Sequence, residues 1–164
     1  MRSGNYSLET NILSVFSFMK SAATLRETQV RSIEFSVEKT EKPCYLVPVG
    51  KFFSDDASLV SAMGKWRDAH QYAYPSRFAV TDTGTAKWLK SAVIDNENRL
   101  LFLMQDPSGK YLGHIGFLKL DETRCEIDNV LRGESEVPGI VNSALRELER
   151  FASEELGLES LELR

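Results

Sequence analysis

Residues 132–139, RGESEVPG, are the part of this 164-residue chain best suited to binding a charged ligand. Alternating apolar residues precede the segment and an amphipathic pattern follows it, so it joins a predicted strand to a predicted helix. The first amides of a helix lack partners within the helix and carry the positive end of its dipole. Gly133 and Gly139 have no side chains to keep an anion away from such amides. The segment therefore suits a phosphate or pyrophosphate.

Two features of the same segment favour a simpler interpretation. Glu134 and Glu136 would repel an anion unless both point to solvent. Glycine and proline are also common in ordinary connections, so the segment could be a plain link between a strand and a helix. It contains neither a dinucleotide-binding fingerprint nor a P-loop.

The composition is typical of a globular protein of one domain, with 42% hydrophobic residues, 27% charged residues and a formal net charge of −4. This mild acidity argues against a nucleic-acid partner. No apolar run is long enough for a membrane span and the N-terminus fits a signal peptide poorly, so we expect a cytoplasmic protein without a membrane partner. Cys44 and Cys125 are expected to be buried reduced thiols. His70 and His114 are the only histidines, so no metal site is expected.

The elements that position the segment follow from periodicity. Residues near 9–25 predict a helix, and alternation from Ile33 to Val37 predicts a strand. Residues 44–49 predict a buried strand whose proline indicates an edge or a bulge. We therefore divide the chain into an N-terminal helix-and-strand appendage, residues 1–43, and a domain, residues 44–164.

Within that domain, helices are predicted from Ser54 or Asp55 and from residues 81–83, where capping residues stand. Three antiparallel strands follow: Arg99–Gln105, Tyr111–Leu120 and Cys125–Arg132. A helix begins at about Pro138, which suits a first helical turn, and ends near Gly157. A last strand should run parallel to the strand before the helix through a right-handed crossover.

Four motifs resemble the GNAT superfamily of acyl-CoA N-acyltransferases, in its ribosomal-protein and amino-sugar acetyltransferase branch. They are KWRDAH (65–70), TAKWL (85–89), GHIGF (113–117) and EIDNVLRGESEVPGIVNSAL (126–145), and the resemblance spans about residues 45–164. It implies an α+β fold, a mixed and mostly antiparallel sheet flanked by helices on both faces. The family continues with further strands beyond LESLELR, so we expect the last strands to be lacking. The exposed sheet edge that results would favour a homodimer.

The resemblance also implies acetyl-CoA, or another acyl-CoA, as cosubstrate. The pantetheine arm would pair like an added strand with residues 129–131. The pyrophosphate would contact the remaining cofactor-binding residues, which follow in the chain. These residues are Asn129, Val130, Leu131, Arg132, Gly133, Pro138, Gly139, Ile140 and Val141. The usual Gln/Arg-x-x-Gly-x-Gly/Ala loop of the family is replaced here by ESEVPGIVN.

The activity that the resemblance implies is transfer of an acetyl group to a primary amine of a small molecule, with an amino sugar as the expected acceptor. The amine attacks the thioester directly and must lose a proton, for which His114, Glu126 and Asp128 are the candidates. Glu126 and Asp128 are two residues apart, so on a strand they share a face. The alternatives are two solvent-facing carboxylates and a partly buried histidine with satisfied hydrogen bonds.

The acceptor would be bound by residues after the first helix of the domain. Arg67 could hold an acidic group of the substrate, or form a surface salt bridge, and Tyr72, Tyr74 and Arg77 lie in the connection that follows. Two rival functions remain open. One is a protein N-terminal acetyltransferase, and the other is a non-catalytic acyl-CoA-binding or protein-interaction domain.

Overall fold

The computed structural model describes residues 11–70 and 79–163. Its helices are α1 (Ile12–Lys20), α2 (Leu25–Arg31), α3 (Ala57–Ala69), α4 (Asp82–Trp88), extended by a π-helical segment (Leu89–Ile94), and α5 (Ile140–Glu154). Its strands are β1 (Ile33–Phe35), β2 (Cys44–Pro48), β3 (Arg99–Gln105), β4 (Tyr111–Lys119), β5 (Arg124–Arg132) and β6 (Ser160–Glu162). One turn of 3-10 helix, Lys51–Phe53, precedes α3.

The strands form one sheet in the order β1-β2-β3-β4-β5-β6. Neighbours from β1 to β5 are antiparallel, and β6 runs parallel to β5. The predicted mixed, mostly antiparallel sheet is therefore confirmed. The last strand is parallel to the strand before α5, as the crossover required.

Helices cover both faces of this sheet, which is the predicted α+β arrangement. Side chains alternate along each strand, so every interior strand contributes to two apolar clusters. The first cluster joins one face to α1 and α5, and includes Phe16, Phe102, Phe117, Ile127 and Leu148. The second joins the other face to α3 and the α4 segment, and includes Met63, Leu89, Leu101, Leu103 and Leu131.

Residues 11–43 contribute to the same sheet and the same core as the rest of the chain. Phe16 of α1 is buried and stacks on Phe117 of β4, with ring centroids 6.1 Å apart. The buried Nζ of Lys20 donates to three main-chain oxygens beyond α4, those of Val93 (3.3 Å), Asn96 (2.7 Å) and Arg99 (2.8 Å). Gly50 follows β2 so closely against α1 that a Cβ there would be 2.2 Å from the main-chain oxygen of Lys20.

Three local predictions were wrong for physical reasons. β2 is not an edge strand, because β1 pairs with it; Pro48 is its last residue and lies beyond the last β1 pair, Ile33 with Leu46. Pro138 does not begin α5, because Gly139 is the N-cap residue. Helix α2 was missed because its apolar residues, Leu25 and Val30, are exposed and form no buried stripe. Among the residues that the structure describes, no helix has both the length and the apolar character needed to cross a bilayer.

Candidate active site

Strand β5 contains a bulge at Asn129, immediately before the segment singled out in the sequence. Gly116 of β4 lies opposite Asp128, and His114 lies opposite Leu131. Between these two pairs β5 therefore has one residue more than β4. Asn129 accommodates it with a φ of 53°, in the left-handed region that asparagine adopts more readily than most residues. Such a bulge bends the strand and interrupts its ladder.

In the part of the chain that the structure describes, no strand pairs with the outer edge of β5 beyond this bulge. Among the described residues, β6 pairs with β5 at Arg124, Cys125 and Glu126, whereas β5 continues to Arg132. Val130 is 45% exposed. The main-chain groups of residues 127–132 on that edge are thus available to an extended ligand, which is where the resemblance put the pantetheine arm.

His114 holds the bulge from the neighbouring strand. Its Nδ1 lies 2.6 Å from the main-chain oxygen of Asn129, and because a carbonyl oxygen only accepts, Nδ1 carries the proton. The side chain is 3% exposed and lies near both Trp66 and Trp88, with ring centroids at 6.3 and 6.2 Å. Burial lowers the pKa of His114 to about 4. A neutral, enclosed imidazole is suited to positioning the main chain, and less to meeting a substrate as a base.

Asp128 and Glu126 lie on the face of β5 opposite Cys125 and Ile127, as their spacing predicted. Asp128 is half-buried beside the bulge, where its Oδ2 is 2.8 Å from Nε of Arg99 and accepts a 2.9 Å hydrogen bond from Nδ2 of Asn129. Glu126 is 6% exposed and opposite Leu118. The solvent-facing alternative therefore does not apply to Glu126, and Asp128 is the carboxylate nearer to the open edge.

The segment after β5 is fixed by contacts that the sequence did not indicate. The amides of Gly133 and Glu134 both donate to the main-chain oxygen of Leu112, at 2.7 and 2.8 Å. Gly133 lacks a side chain because the Trp66 ring occupies that space; a Cβ would lie 2.4 Å from ring atoms. The expected anion contact at the Gly133 amide is therefore wrong. The amide is committed within the fold.

Glu134 and Glu136 share a single cation, so their contacts reduce the objection raised by their charge without removing it. Oε2 of Glu134 accepts from Nε1 of Trp66 at 2.7 Å. Nζ of Lys110, in the turn between β3 and β4, is 3.7 Å from Glu134 Oε1 and 3.2 Å from Glu136 Oε2.

The N-terminus of α5 opens into a cleft of about 370 Å³. Gly139 is the N-cap residue with a φ of 85° and no side-chain cap, so Val141 and Asn142 have no intrahelical acceptor for their amides. Opposite the helix the cleft is lined by residues 36–39. Lys39 and Arg146 place two cations on its walls.

The expected acceptor residues are only partly within the described chain. Arg67 lies over the ring of Trp88, with its guanidinium carbon 4.7 Å from the centroid, which is a cation–π contact. Tyr72, Tyr74 and Arg77 lie outside the described residues. Cys44 and Cys125 are buried and free, as expected, and burial raises the pKa of Cys125 to about 12, which excludes a thiolate nucleophile at neutral pH.

Sequence reasoning missed four residues that shape this site: Trp66, Arg99, Lys39 and Arg146. Nothing in the sequence indicates the partner of the Trp66 indole N–H, which is 68 residues away. Arg99 and Asp128 are brought together by strands whose register the sequence does not state. Lys39 stands in a charged stretch of the sequence and Arg146 among the charged residues of the predicted helix, and neither position by itself indicates a ligand. A basic residue within the first two turns of a helix whose N-terminus is a suspected anion site is a signal that could have identified Arg146.

No protein-family model and no curated protein matches this sequence, whereas several solved structures match the fold. A GNAT family acetyltransferase of Staphylococcus aureus has a TM-score of 0.57 and 16% identity over 74% of this chain and 85% of that one. The Campylobacter jejuni N-acetyltransferase PseH, solved with acetyl coenzyme A, has a TM-score of 0.52 and 18% identity over 73% of this chain and 74% of that one. FdhC, a nucleotide-linked sugar GNAT, has a TM-score of 0.57 and 14% identity over 73% of this chain and 67% of that one.

These likenesses show that the chain has the fold of the GNAT acetyltransferases, as the sequence motifs implied. The branch within that superfamily stays a prediction.

Proposed function

We propose that this protein is an acyl-CoA-dependent N-acetyltransferase that transfers an acetyl group to a primary amine of a small molecule, with an amino sugar as the expected acceptor. The observation that carries the proposal is strand β5, with its bulge and its unpaired outer edge, followed in the chain by the cleft at the N-terminus of α5. An extended thioester with a diphosphate group needs both features. PseH, which has this fold, binds acetyl coenzyme A.

The donor would occupy the outer edge of β5. Asn129, Val130 and Leu131 would pair with its amide-bearing arm, and the Val141 and Asn142 amides would face its diphosphate. Lys39 and Arg146 would add the cations that a phosphate requires. Arg132 is exposed at the end of β5 and is a further cation close in sequence to the N-terminus of α5.

The reaction needs no covalent enzyme intermediate. The amine nitrogen attacks the thioester carbonyl, the C–N bond forms, the C–S bond breaks and CoA leaves as the thiolate or thiol. The amine proton is lost on the way. Main-chain N–H groups at the Asn129 bulge would donate to the oxyanion of the tetrahedral intermediate.

Asp128 is the residue that we assign to the acceptor amine. It is half-buried beside the bulge, and the ion pair with Arg99 and the hydrogen bond from Asn129 orient its carboxylate. Such a carboxylate can orient a substrate ammonium and pass its proton to solvent. Glu126 is two residues further from the bulge and His114 is buried near two indoles, so we assign neither as the direct base.

The amino-sugar acceptor is supported by one protein of the same fold and by one residue of this chain. FdhC is a nucleotide-linked sugar GNAT, and Arg67 offers a cation on the side of the sheet where α3 and α4 lie. Other proteins with this fold act on spermidine, so a polyamine is a necessary comparison in any assay.

The test has a binding arm and a turnover arm. Melting temperature is measured with acetyl-CoA, with CoA and without ligand; a ligand at a hundredfold excess over its Kd adds about 2.7 kcal/mol of stability. Thiol release is then measured with amino sugars, a nucleotide-linked amino sugar, spermidine and a peptide with a free N-terminus. Release with an amino sugar, and not with the peptide, is the expected result.

Other outcomes decide against the proposal. Binding of acetyl-CoA without turnover on any amine would favour the non-catalytic domain, and turnover only on the peptide would favour the protein N-terminal acetyltransferase. The absence of both acetyl-CoA binding and turnover would overturn the acyl-CoA assignment itself. Within an active protein, Asp128→Asn is expected to lower kcat roughly a hundredfold with little change in CoA affinity, whereas Glu126→Gln retains most of kcat.

The cationic cleft has its own matched control. Lys39→Ala and Arg146→Ala are each expected to raise the KM for acetyl-CoA several-fold. Lys42→Ala removes an exposed cation from the same segment as Lys39 without touching the cleft and should leave that KM unchanged. Equal KM values for all three variants would place the diphosphate elsewhere.

A further inference from the structure

The indole of Trp66 contacts three separate parts of the candidate site. Gly133 lies flat against the ring, with room for no Cβ. Nε1 of Trp66 donates to Oε2 of Glu134 at 2.7 Å. The ring is also 6.3 Å, centroid to centroid, from the imidazole of His114. Trp66 itself is 3% exposed, so it is fixed in the core while it touches the segment after β5.

Glu134 holds that segment to the indole. Its amide is bound to Leu112 O, and its carboxylate lies between the Trp66 N–H and the ammonium of Lys110. A buried indole N–H without its acceptor would cost about 1–3 kcal/mol. The position of the Glu134 carboxylate, and with it the start of the connection to α5, is therefore tied to the position of Trp66.

His114 depends on Trp66 in a different way. Its Nδ1–H holds the Asn129 oxygen, but its Nε2 has no hydrogen-bond partner among the residues that the structure describes. One hydrogen bond and the two neighbouring indoles thus set the plane of the imidazole. If the Trp66 ring turns, the imidazole loses one of its two indole contacts, and the carbonyl at the bulge loses a fixed donor.

We propose that Trp66 and Glu134 are positioning residues that couple the connection between β5 and α5 to the bulge at Asn129, with His114 as the joint between them. The proposal rests on the proposed function, in which the connection leads to the diphosphate and the bulge faces the thioester. Binding of the diphosphate end would then set the geometry of the reacting end through Glu134, Trp66 and His114.

The pair of residues allows a test with conservative variants. Trp66→Phe keeps an aromatic ring and removes the N–H; Glu134→Ala removes the acceptor; Glu134→Gln keeps an acceptor oxygen. We expect kcat to fall roughly tenfold in Trp66→Phe and in Glu134→Ala, with the KM for acetyl-CoA changed less than twofold, and to return close to the original value in Glu134→Gln. The double variant Trp66→Phe/Glu134→Ala should be no slower than either single variant.

Lys110→Gln is the matched control, because it removes the ion pair with Glu134 and leaves the indole hydrogen bond. It should change kcat less than twofold. If Trp66→Phe raises only the KM for acetyl-CoA and leaves kcat unchanged, the contact is a local support of the connection and the coupling is refuted.

A second readout does not need turnover. Imidazole 15N NMR reports the tautomer of His114, and we expect a stable Nδ1–H in the original protein and in Glu134→Gln. In folded Trp66→Phe and Glu134→Ala, this signal should shift and exchange faster with solvent. An unchanged His114 signal in both variants would refute the coupling. If the original protein is inactive on every amine, the proposed function fails while this measurement still decides the coupling.

Discussion

The main chain of Gly133 packs against the indole of Trp66, so closely that a Cβ on the glycine would be 2.4 Å from the ring. The ring has little freedom to move aside, because its N–H is bound to Glu134 and its other neighbours are buried. Here the absence of a side chain serves packing, where the sequence suggested that it served an anion.

Gly133→Ala is therefore expected to lower the free energy of unfolding by about 1–3 kcal/mol, the usual cost of overpacking. Urea unfolding followed by circular dichroism measures this change. Ser135→Ala, at an exposed position of the same segment, is the control and should stay within about 0.5 kcal/mol of the original protein. Equal stability of the two variants would show that the indole moves aside at no cost.

The sequence was sufficient for the order of the elements because each depends on a local pattern. The strand Arg99–Gln105 and the Thr81 cap of α4 were both predicted, and both are present. What it could not supply depends on register. The bulge at Asn129, the ion pair of Arg99 with Asp128 and the place of Lys39 on the α5 cleft each require distant segments to be aligned to within one residue.

The buried imidazole of His114 should make stability depend on pH. Its folded-state pKa of about 4 lies below the value of about 6.5 for an unfolded histidine. Between these values the unfolded chain binds more protons, so stability is complete above pH 6.5 and is lost as the pH falls towards 4. The loss should be on the order of 3 kcal/mol.

Urea unfolding at pH 7.5 and pH 4.5 measures this loss. His114→Gln keeps a side-chain N–H donor and cannot titrate, so its stability should fall by less over the same interval. Identical pH dependence in the two proteins would contradict a neutral, buried His114.

Lys20 ties α1 to the end of the α4 segment through three main-chain oxygens. Lys20→Met fills similar space and offers no donor, so we expect a loss of at least 1–3 kcal/mol, the approximate cost of one unsatisfied buried group. Thermal unfolding at pH 7 tests this, with Lys42→Met as the exposed control. A loss no larger than that of the control would show that water replaces the ammonium.

Lys20 should also make stability depend on pH, but in the alkaline range. Burial lowers the pKa of Lys20 to about 8, below the value of about 10.4 for an unfolded lysine. From about pH 8 to pH 10 the unfolded chain binds more protons, so the contribution of Lys20 to stability rises with pH. The stability difference between the original protein and Lys20→Met should therefore be larger at pH 9.5 than at pH 7, and a smaller difference would contradict the lowered pKa.

Asn129 combines a left-handed main chain with a side-chain bond to Asp128, and a series of substitutions separates these two roles. Asn129→Gly relieves the main chain and loses the bond from Nδ2 to Oδ2 of Asp128. Asn129→Val loses that bond and places a β-branched residue at a φ of 53°, where the left-handed conformation costs at least about 1–2 kcal/mol. We expect Asn129→Gly to be the more stable variant by that amount in urea unfolding.

If the bulge faces the thioester, kcat should also fall much further in Asn129→Val than in Asn129→Gly, while both bind CoA at the α5 cleft. Equal stability of the two variants would mean that β5 can lose its bulge without strain, and the open edge would then no longer depend on residue 129.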